Sequence, residues 1–373
     1  MSKILILANS SGGLYDFRNE LLLRLLKEGN EVLTSLPDTV RTAEIAAEGC
    51  RVIHTPINRR GMNPSQDYHL LKEYKRLLKT EKPDLVITYT IKPNIYGGFL
   101  CRKLKIPYIT TITGLGSTFE REGLMKKLIV RMYRAGLRGC ECIFFQNAEN
   151  REIFRNLGIT GKKDRLVGGS GVDLTRHPAE PYPGHQDDVT RFVYVGRLMR
   201  EKGTQEYLTA AQALHDRYDD RVSVAAIGYC DDDYQSQLEE AQKKGILKAI
   251  PFQKDIHPYL READAVVMPS WHEGMSNVIM EASATGRPVL ASDISGCREL
   301  VEDGTTGFLF EARNAQSLIA AMNRFMETPL QERAAMGQMA RKKMEREFDR
   351  QCIIDAYMDT IDTVLSRRQD KVQ

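Results

Sequence analysis

The chain contains no long hydrophobic run. No stretch of about 18 apolar residues occurs anywhere in its 373 positions, so no helix is expected to span a bilayer. Cysteine is sparse and scattered: Cys50, Cys101, Cys140, Cys142, Cys230, Cys297 and Cys352 form no C-x-x-C pair and no Cys/His cluster. That excludes a disulfide framework and a zinc site, and it fits a reducing cytoplasm. A large charge of one sign is absent too: the net charge is +3, which provides no global field for nucleic acid. The phosphate loop G-x-x-x-x-G-K-[ST] does not occur, which argues against a P-loop NTPase. Two partial dinucleotide fingerprints fail at their third glycine. Phe119 follows Gly114 and Gly116, and Leu174 follows Gly169 and Gly171, so a nicotinamide enzyme has little support.

What is present is a globular composition, 42% hydrophobic and 28% charged, in a chain long enough for two domains. The apolar run at 4–8 is too short for a signal peptide and reads as a buried first strand. It opens into Asn9-Ser-Ser-Gly-Gly13, followed by a helical pattern over 17–27. Strand-like runs at 31–35, 51–54, 84–88, 108–112 and 141–145 alternate with helical patterns at 67–79, 95–104 and 124–137. Such alternation predicts βαβ units and a parallel sheet, with ligands at its carboxyl edge. The pattern breaks over 176–188, which holds three prolines and reads as an interdomain linker. It then restarts, with strands at 191–195, 222–227, 265–268 and 288–291 and helices at 205–217, 234–243 and 278–285; 314–365 reads as helical throughout. The expectation is an α/β chain of two doubly wound, Rossmann-like domains, 1–175 and 189–350, facing a cleft, with the last helix (351–366) packing back on the first domain.

One stretch, 270–286 (S-W-H-E-G-M-S-N-V-I-M-E-A-S-A-T-G), begins where a buried strand ends and turns into a helix. A helix starting near Ser276 leaves Glu273 at its N-terminal mouth, Glu281 inside it, and the amides of Gly274, Met275, Ser276 and Asn277 pointing outward. This suits an anion flanked by hydroxyls, as in a sugar nucleotide; an ordinary strand–loop–helix turn with two solvated glutamates is the competing reading. The loop Gly196-Arg197-Leu-Met-Arg-Glu-Lys202-Gly203 follows the first strand of the second half. Its two cations suit a diphosphate that gains charge as it leaves. Asp231-Asp-Asp233 offers a D-x-D string, but acidic residues there also favour the start of a helix, so no metal site is expected.

G-R-L-x-x-E-K-G followed about seventy residues later by E-G-x-x-x-x-x-x-E resembles the donor-site signature of the GT-B retaining glycosyltransferases of family 4. Gly171-Val-Asp173 and Ala284-Thr-Gly-Arg-Pro-Val289 resemble further landmarks of that family. T-I-K-P-N-I-Y-G (90–97) and T-I-T-G-L-G-S (111–117) resemble its bacterial members that extend undecaprenyl-diphosphate-linked glycans. The resemblance implies a UDP-sugar donor, a lipid-diphosphate-linked saccharide acceptor, a hexose or N-acetylhexosamine as the sugar, and no cofactor. Arg197 and Lys202 would clamp the diphosphate, with Gly196 at the turn. Glu273 and the 274–277 amides would meet the sugar, Glu281 the ribose and Ile256 the base, while Gly12 and Gly13 would let the first loop approach the phosphates. Lys92, Asn94, Thr113 and Gly114 are the implied acceptor residues, Thr113 standing where many relatives carry a histidine. Glu273, Arg197 and Lys202 are the implied catalytic set.

The segment 120–138 combines Leu124, Leu128, Met132 and Leu137 with Lys126, Lys127, Arg131 and Arg134. It is expected to lie on an anionic membrane surface, peripheral to the cytoplasmic face of the inner membrane. Alternatives on the same fold are a transferase with a soluble acceptor, a nucleotide-sugar 2-epimerase, and a non-catalytic sugar-nucleotide binder.

Overall fold

In the computed structural model, which describes residues 1–58, 63–115, 123–184, 187–230 and 234–369, the chain divides into two compact units. One comprises Met1–Ser170 and Gln351–Gln373, the other Gly171–Arg350.

The first unit contains β1 (Lys3–Leu7), β2 (Glu31–Leu36), β3 (Arg51–His54), β4 (Leu85–Tyr89), β5 (Tyr108–Ile112), β6 (Cys142–Phe145) and β7 (Asp164–Leu166). All pair in parallel, in the order β3-β2-β1-β4-β5-β6-β7. Runs of apolar residues and threonine explain the central strands, since a parallel sheet covered on both faces has no solvent side; β4 and β5 are buried along their whole length, Thr88, Thr110 and Thr111 included. The strands alternate with α1 (Ser11–Lys27), α2 (Thr42–Ala47), α3 (Pro64–Glu81), α4 (Gly98–Leu104), α5 (Leu124–Leu137) and α6 (Ala148–Asn156). Helix α1 starts six residues before the expected 17, because the Ser10 side chain accepts the Gly13 N–H at 3.1 Å and caps it. Gly12 and Gly13 therefore belong to the first turn of a helix and not to a loop.

The second unit repeats the plan with β8 (Thr190–Val195), β9 (Val222–Ile227), β10 (Lys248–Ile250), β11 (Ala265–Met268), β12 (Val289–Ser292) and β13 (Gly307–Phe310), in the parallel order β10-β9-β8-β11-β12-β13. Its helices are α7 (Thr204–Tyr218), α8 (Gln235–Lys243), α9 (His257–Glu262), α10 (Asn277–Ala284), α11 (Ala315–Glu327) and α12 (Leu330–Lys343). The last of these passes into a π turn, Met344–Phe348, inside the stretch expected to be helical throughout. In both sheets the winding reverses beside the first strand, between β1 and β4 and between β8 and β11. A crevice opens there at the carboxyl ends of the strands.

Part of the 176–188 stretch, read as a linker, is built into the second unit. The fully buried Arg287 donates to the carbonyls of Glu180 (3.3 Å) and Pro181 (2.7 Å), and the Tyr182 hydroxyl donates to the Asp264 carbonyl at 3.0 Å. Helix α13 (Arg350–Gln369) lies from Gln351 onward in the first unit, where Ile353, Ile354, Tyr357, Met358, Ile361 and Val364 enter one apolar layer with α1 and the sheet.

Candidate functional site

The adjacency of β8 and β11 brings together two loops far apart in sequence. After β8 the chain makes a single 3-10 turn, Arg200–Lys202, and enters α7 through Gly203. Gly203 has φ +72°, and a Cβ on it would stand 2.0 Å from the Pro269 carbonyl oxygen at the end of β11, so only glycine fits. Two polar contacts tie the same loops. The Trp271 N–H donates to the Glu201 carbonyl at 3.0 Å, and the Lys202 ammonium donates to Glu273 Oε1 at 2.5 Å. The Trp271 indole donates to Glu206 at 3.0 Å, and the guanidinium groups of Arg200 and Arg313 stand over its ring, 5.4 and 4.7 Å from its centre. Sequence reasoning missed Trp271; being the single tryptophan, beside a glutamate at a strand end, was the available signal.

Helix α10 starts at Asn277, with the Ser276 side chain accepting the Ile279 N–H at 3.4 Å. One expectation is corrected here: the Ser276 amide is not free, because it donates to the Gly296 carbonyl at 3.1 Å. Gly296, at φ +84°, is the shelf beneath the loop, and a Cβ there would stand 2.8 Å from the carbonyl oxygens of both Glu273 and Gly274. The Gly296 N–H donates in turn to Glu299 at 2.6 Å. Met275 is buried and packs among Ile279, Met280, Cys297 and Leu300, so it anchors the loop from below.

Glu281 projects from α10 with its Oε1 4.0 Å from Nε2 of His177. Burial, reinforced by Arg176, pushes the His177 imidazole down to about 4, so it is neutral near pH 7. His257 at the start of α9 bonds Glu180 at 2.9 Å and faces His177 across 6.2 Å between ring centres. Ile256, one residue before α9, packs in one apolar cluster with Val278 of α10. Gly196 leaves β8, and the backbone carbonyl of the exposed Arg197 accepts the Tyr194 hydroxyl at 2.6 Å, which fixes the loop from below. The structure thus gathers Gly196, Arg197, Lys202, Glu273, Gly274, Met275, Ser276, Asn277, Glu281 and Ile256 around the carboxyl edge of one sheet. Residues 231–233, the D-x-D string, lie outside the described residues. Among the described residues no group of three or more His, Cys, Asp or Glu side chains could hold a metal ion.

In the first unit, Gly12, Gly13, Lys92, Asn94, Thr113 and Gly114 also stand at the carboxyl ends of β1, β4 and β5. The helix-terminal amides are partly engaged, Gly13 by Ser10 and Ser11 by Asp38 at 3.2 Å. Lys92 is turned inward to Asp67 at 2.7 Å, and the buried Asn94 amide donates to the Thr111 carbonyl at 2.9 Å. Both hold the fold locally. In α5 the expected apolar stripe divides. Leu137 is buried with Ile129, Val130 and Tyr133, whereas Leu124 (85%), Met125 (50%) and Leu128 (45%) are exposed beside Lys127 and Arg131. Residues 116–122, including the end of the T-I-T-G-L-G-S string, lie outside the described residues.

Comparison with known proteins gives two domain matches: 180–343 to the family described as glycosyl transferases group 1, and 3–147 to glycosyl transferase 4-like. The chain is 24% identical, over 87% of its length and 89% of the relative's, to an N,N'-diacetylbacillosaminyl-diphospho-undecaprenol alpha-1,3-N-acetylgalactosaminyltransferase of Campylobacter jejuni. It is 28% identical, over 74% and 75%, to a UDP-Gal:alpha-D-GlcNAc-diphosphoundecaprenol alpha-1,3-galactosyltransferase of Escherichia coli. Among solved structures, HepE of Anabaena in complex with UDP and glucose superposes with a TM-score of 0.78 at 19% identity, over 97% of this chain and all of that one. Sucrose-phosphate synthase of Thermosynechococcus elongatus gives 0.79 at 18%, over 98% and 100%.

Proposed function

Since the chain belongs to the group 1, family 4-like glycosyltransferases of GT-B fold, we propose that it moves a hexose or N-acetylhexosamine from a UDP-sugar to a saccharide carried on undecaprenyl diphosphate, with retention at the anomeric carbon. The observation that carries this reading is the Lys202–Glu273 pair, which sets a cation and a carboxylate side by side at the switch point of the second sheet. The acceptor and donor classes come from the names of the two undecaprenol-dependent relatives and from the UDP bound by HepE.

In the proposed reaction the bond from the anomeric carbon to the diphosphate oxygen breaks, the acceptor oxygen bonds that carbon, and its proton passes to the departing phosphate. Arg197 and Lys202 stabilise the charge that builds on the diphosphate, a role that needs no metal. Glu273 and the neighbouring amides orient the sugar, Glu281 holds the ribose and Ile256 flanks the base. The reading is tested by incubating the enzyme with a panel of UDP-sugars and synthetic prenyl-diphosphate saccharides and following the products by mass spectrometry. One added hexose or N-acetylhexosamine on the prenyl acceptor is expected. An epimerised nucleotide sugar formed without acceptor would show the chain to be an epimerase instead.

The exposed Leu124, Met125 and Leu128, with Lys126, Lys127, Arg131 and Arg134 on the same helix, support peripheral attachment to an anionic membrane. No helix among the described residues is long and apolar enough to cross one. Each cation near such a surface is worth about 1 kcal/mol, so neutralising all four should weaken binding to phosphatidylglycerol vesicles roughly 10³-fold. Unchanged co-sedimentation of that variant would refute the attachment.

A further inference from the structure

At the amino edge of its sheet, opposite the carboxyl ends of the strands, the first unit holds a cavity of about 500 Å³. Small-molecule pockets span about 300–1,000 Å³, so this one has the volume for a ligand. Because the strands run parallel, the segments entering β5, β6 and β7 converge there: Tyr108 opens β5, Glu141 precedes β6, and Lys162 stands two residues before β7. Helix α4 adds Arg102 from its last turn and Lys105 just beyond its end, and the last turn of α13 adds Arg367 and Arg368. Five cations and one carboxylate, Glu141, therefore line one accessible space.

Two of the five are occupied. Lys162 is paired with Glu141, and the Arg368 guanidinium donates to the Asp84 backbone carbonyl at 2.6 Å, with the Asp84 carboxylate 3.5 Å away. Arg102, Lys105 and Arg367 have no ion pair among the described residues. Arg102 rests against the Phe99 ring, its guanidinium carbon 5.7 Å from the ring centre, while Lys105 and Arg367 are exposed. Cations near helix C-termini offset the partial negative charge of the last carbonyls, which accounts for part of the cluster. The ends of α4, α5 and α13 together supply about one and a half negative charges at most. Even with Glu141 added, positive charge remains in surplus. Val364, Ile106 and Pro107 line the same cavity with apolar surface, so the surplus is less screened than on an open face. Two guanidinium forks and an ammonium suit phosphate oxygens, and three unpaired charges suit a group with more than one phosphate.

We propose that this cavity binds a ligand bearing two neighbouring phosphates, at a site separate from the crevice of the second unit and independent of the transferase reading. A soluble diphosphate and a two-phosphate lipid headgroup share that chemistry. The test uses the full chain as wild type, as the triple variant Arg102→Gln/Lys105→Gln/Arg367→Gln, and as Glu141→Gln. Calorimetric titration with UDP comes first, then titration of the UDP-saturated chain with inorganic pyrophosphate. A second arm compares co-sedimentation with cardiolipin vesicles and with phosphatidylglycerol vesicles of equal charge, because a helix held by surface charge alone does not tell them apart. The triple variant is expected to weaken pyrophosphate binding on the order of 100-fold. Glu141→Gln removes the one carboxylate and releases Lys162, so it should tighten binding a few-fold, a gain that a merely structural cluster would not give. Pyrophosphate binding, or a second equivalent of UDP, that the triple variant loses assigns the cavity to a soluble diphosphate. A cardiolipin preference that it loses assigns the cavity to a lipid headgroup, and loss in both arms means that either source is held. A wild type that binds no pyrophosphate or second UDP and shows no cardiolipin preference, or binding unaltered in both variants, overturns the site. Neither arm reads sugar transfer, so a chain that transfers none would overturn the transferase reading and leave this result standing.

Discussion

Lys202→Ala is expected to lower the turnover of sugar transfer about 10²- to 10³-fold, the usual cost of removing one preorganised group that meets charge developing in a transition state. Fold stability should hardly change. The Lys202–Glu273 contact is partly open to solvent, and pairs of that kind are worth about 1 kcal/mol or less. The catalytic effect, about 3–4 kcal/mol on the same scale, therefore dominates. The ligand-free pairing adds a second expectation. With Lys202 gone, Glu273 loses its cationic partner, so Lys202→Ala and Glu273→Ala act on one unit and their effects should not add; a double-mutant cycle is expected to show about 1–3 kcal/mol of coupling. Glu281 should behave differently. If it holds the ribose equally in ground and transition states, Glu281→Ala raises the donor KM about tenfold and leaves kcat near its original value. Steady-state kinetics of the three variants would decide the matter, and normal turnover in Lys202→Ala would remove the diphosphate clamp from the scheme.

Why those residues could be singled out from sequence, and what remained hidden, follows from how each signal is encoded. Buried parallel strands such as β1, β5 and β11 are written as short apolar runs, and they stand where the runs place them. β7 and β10 left no such mark: they are three residues long and start with the charged Asp164 and Lys248. β13 is written as a four-residue apolar run, Gly307-Phe-Leu-Phe310, which sequence reasoning missed. Helix α1 shows the opposite failure. Two adjacent glycines argue for a loop by intrinsic propensity, but the cap from Ser10 and the packing of Leu14, Leu21, Leu22 and Leu25 outweigh it. At the candidate site, the motifs located each residue at a strand end, and Ser276 as a cap was readable from its own neighbours. The contacts between loops were not readable. Lys202 meets Glu273, Gly203 meets Pro269 and Ser276 meets Gly296 only because β8 lies beside β11 and β11 beside β12, and strand order is a property of the folded sheet.

Deleting 351–373 is expected to unfold the first unit while sparing the second. Six side chains of α13 are nearly or fully buried in the layer that also holds Leu21, Leu25 and Phe144. At about 1.5–3 kcal/mol for each large apolar side chain removed from the core, the loss is on the order of 10 kcal/mol, comparable with the whole stability of a domain. Tyr357 contributes most. Its ring stacks on Phe144, with centres 4.1 Å apart, and its hydroxyl bonds the Thr111 hydroxyl on β5 at 2.7 Å. Tyr357→Ala should cost about 3–5 kcal/mol by opening a cavity, whereas Tyr357→Phe, which forfeits only the hydroxyl contact, should cost about 1 kcal/mol. Every residue assigned to the UDP moiety apart from Gly12 and Gly13 lies in Gly171–Arg350, so the truncated chain should still bind UDP while transferring no sugar. Calorimetry with limited proteolysis would test both halves of this. The expected result is one remaining unfolding transition, shifted upward by UDP, and a protected fragment spanning the second unit. Two intact transitions after truncation would mean that α13 is dispensable to the sheet it covers.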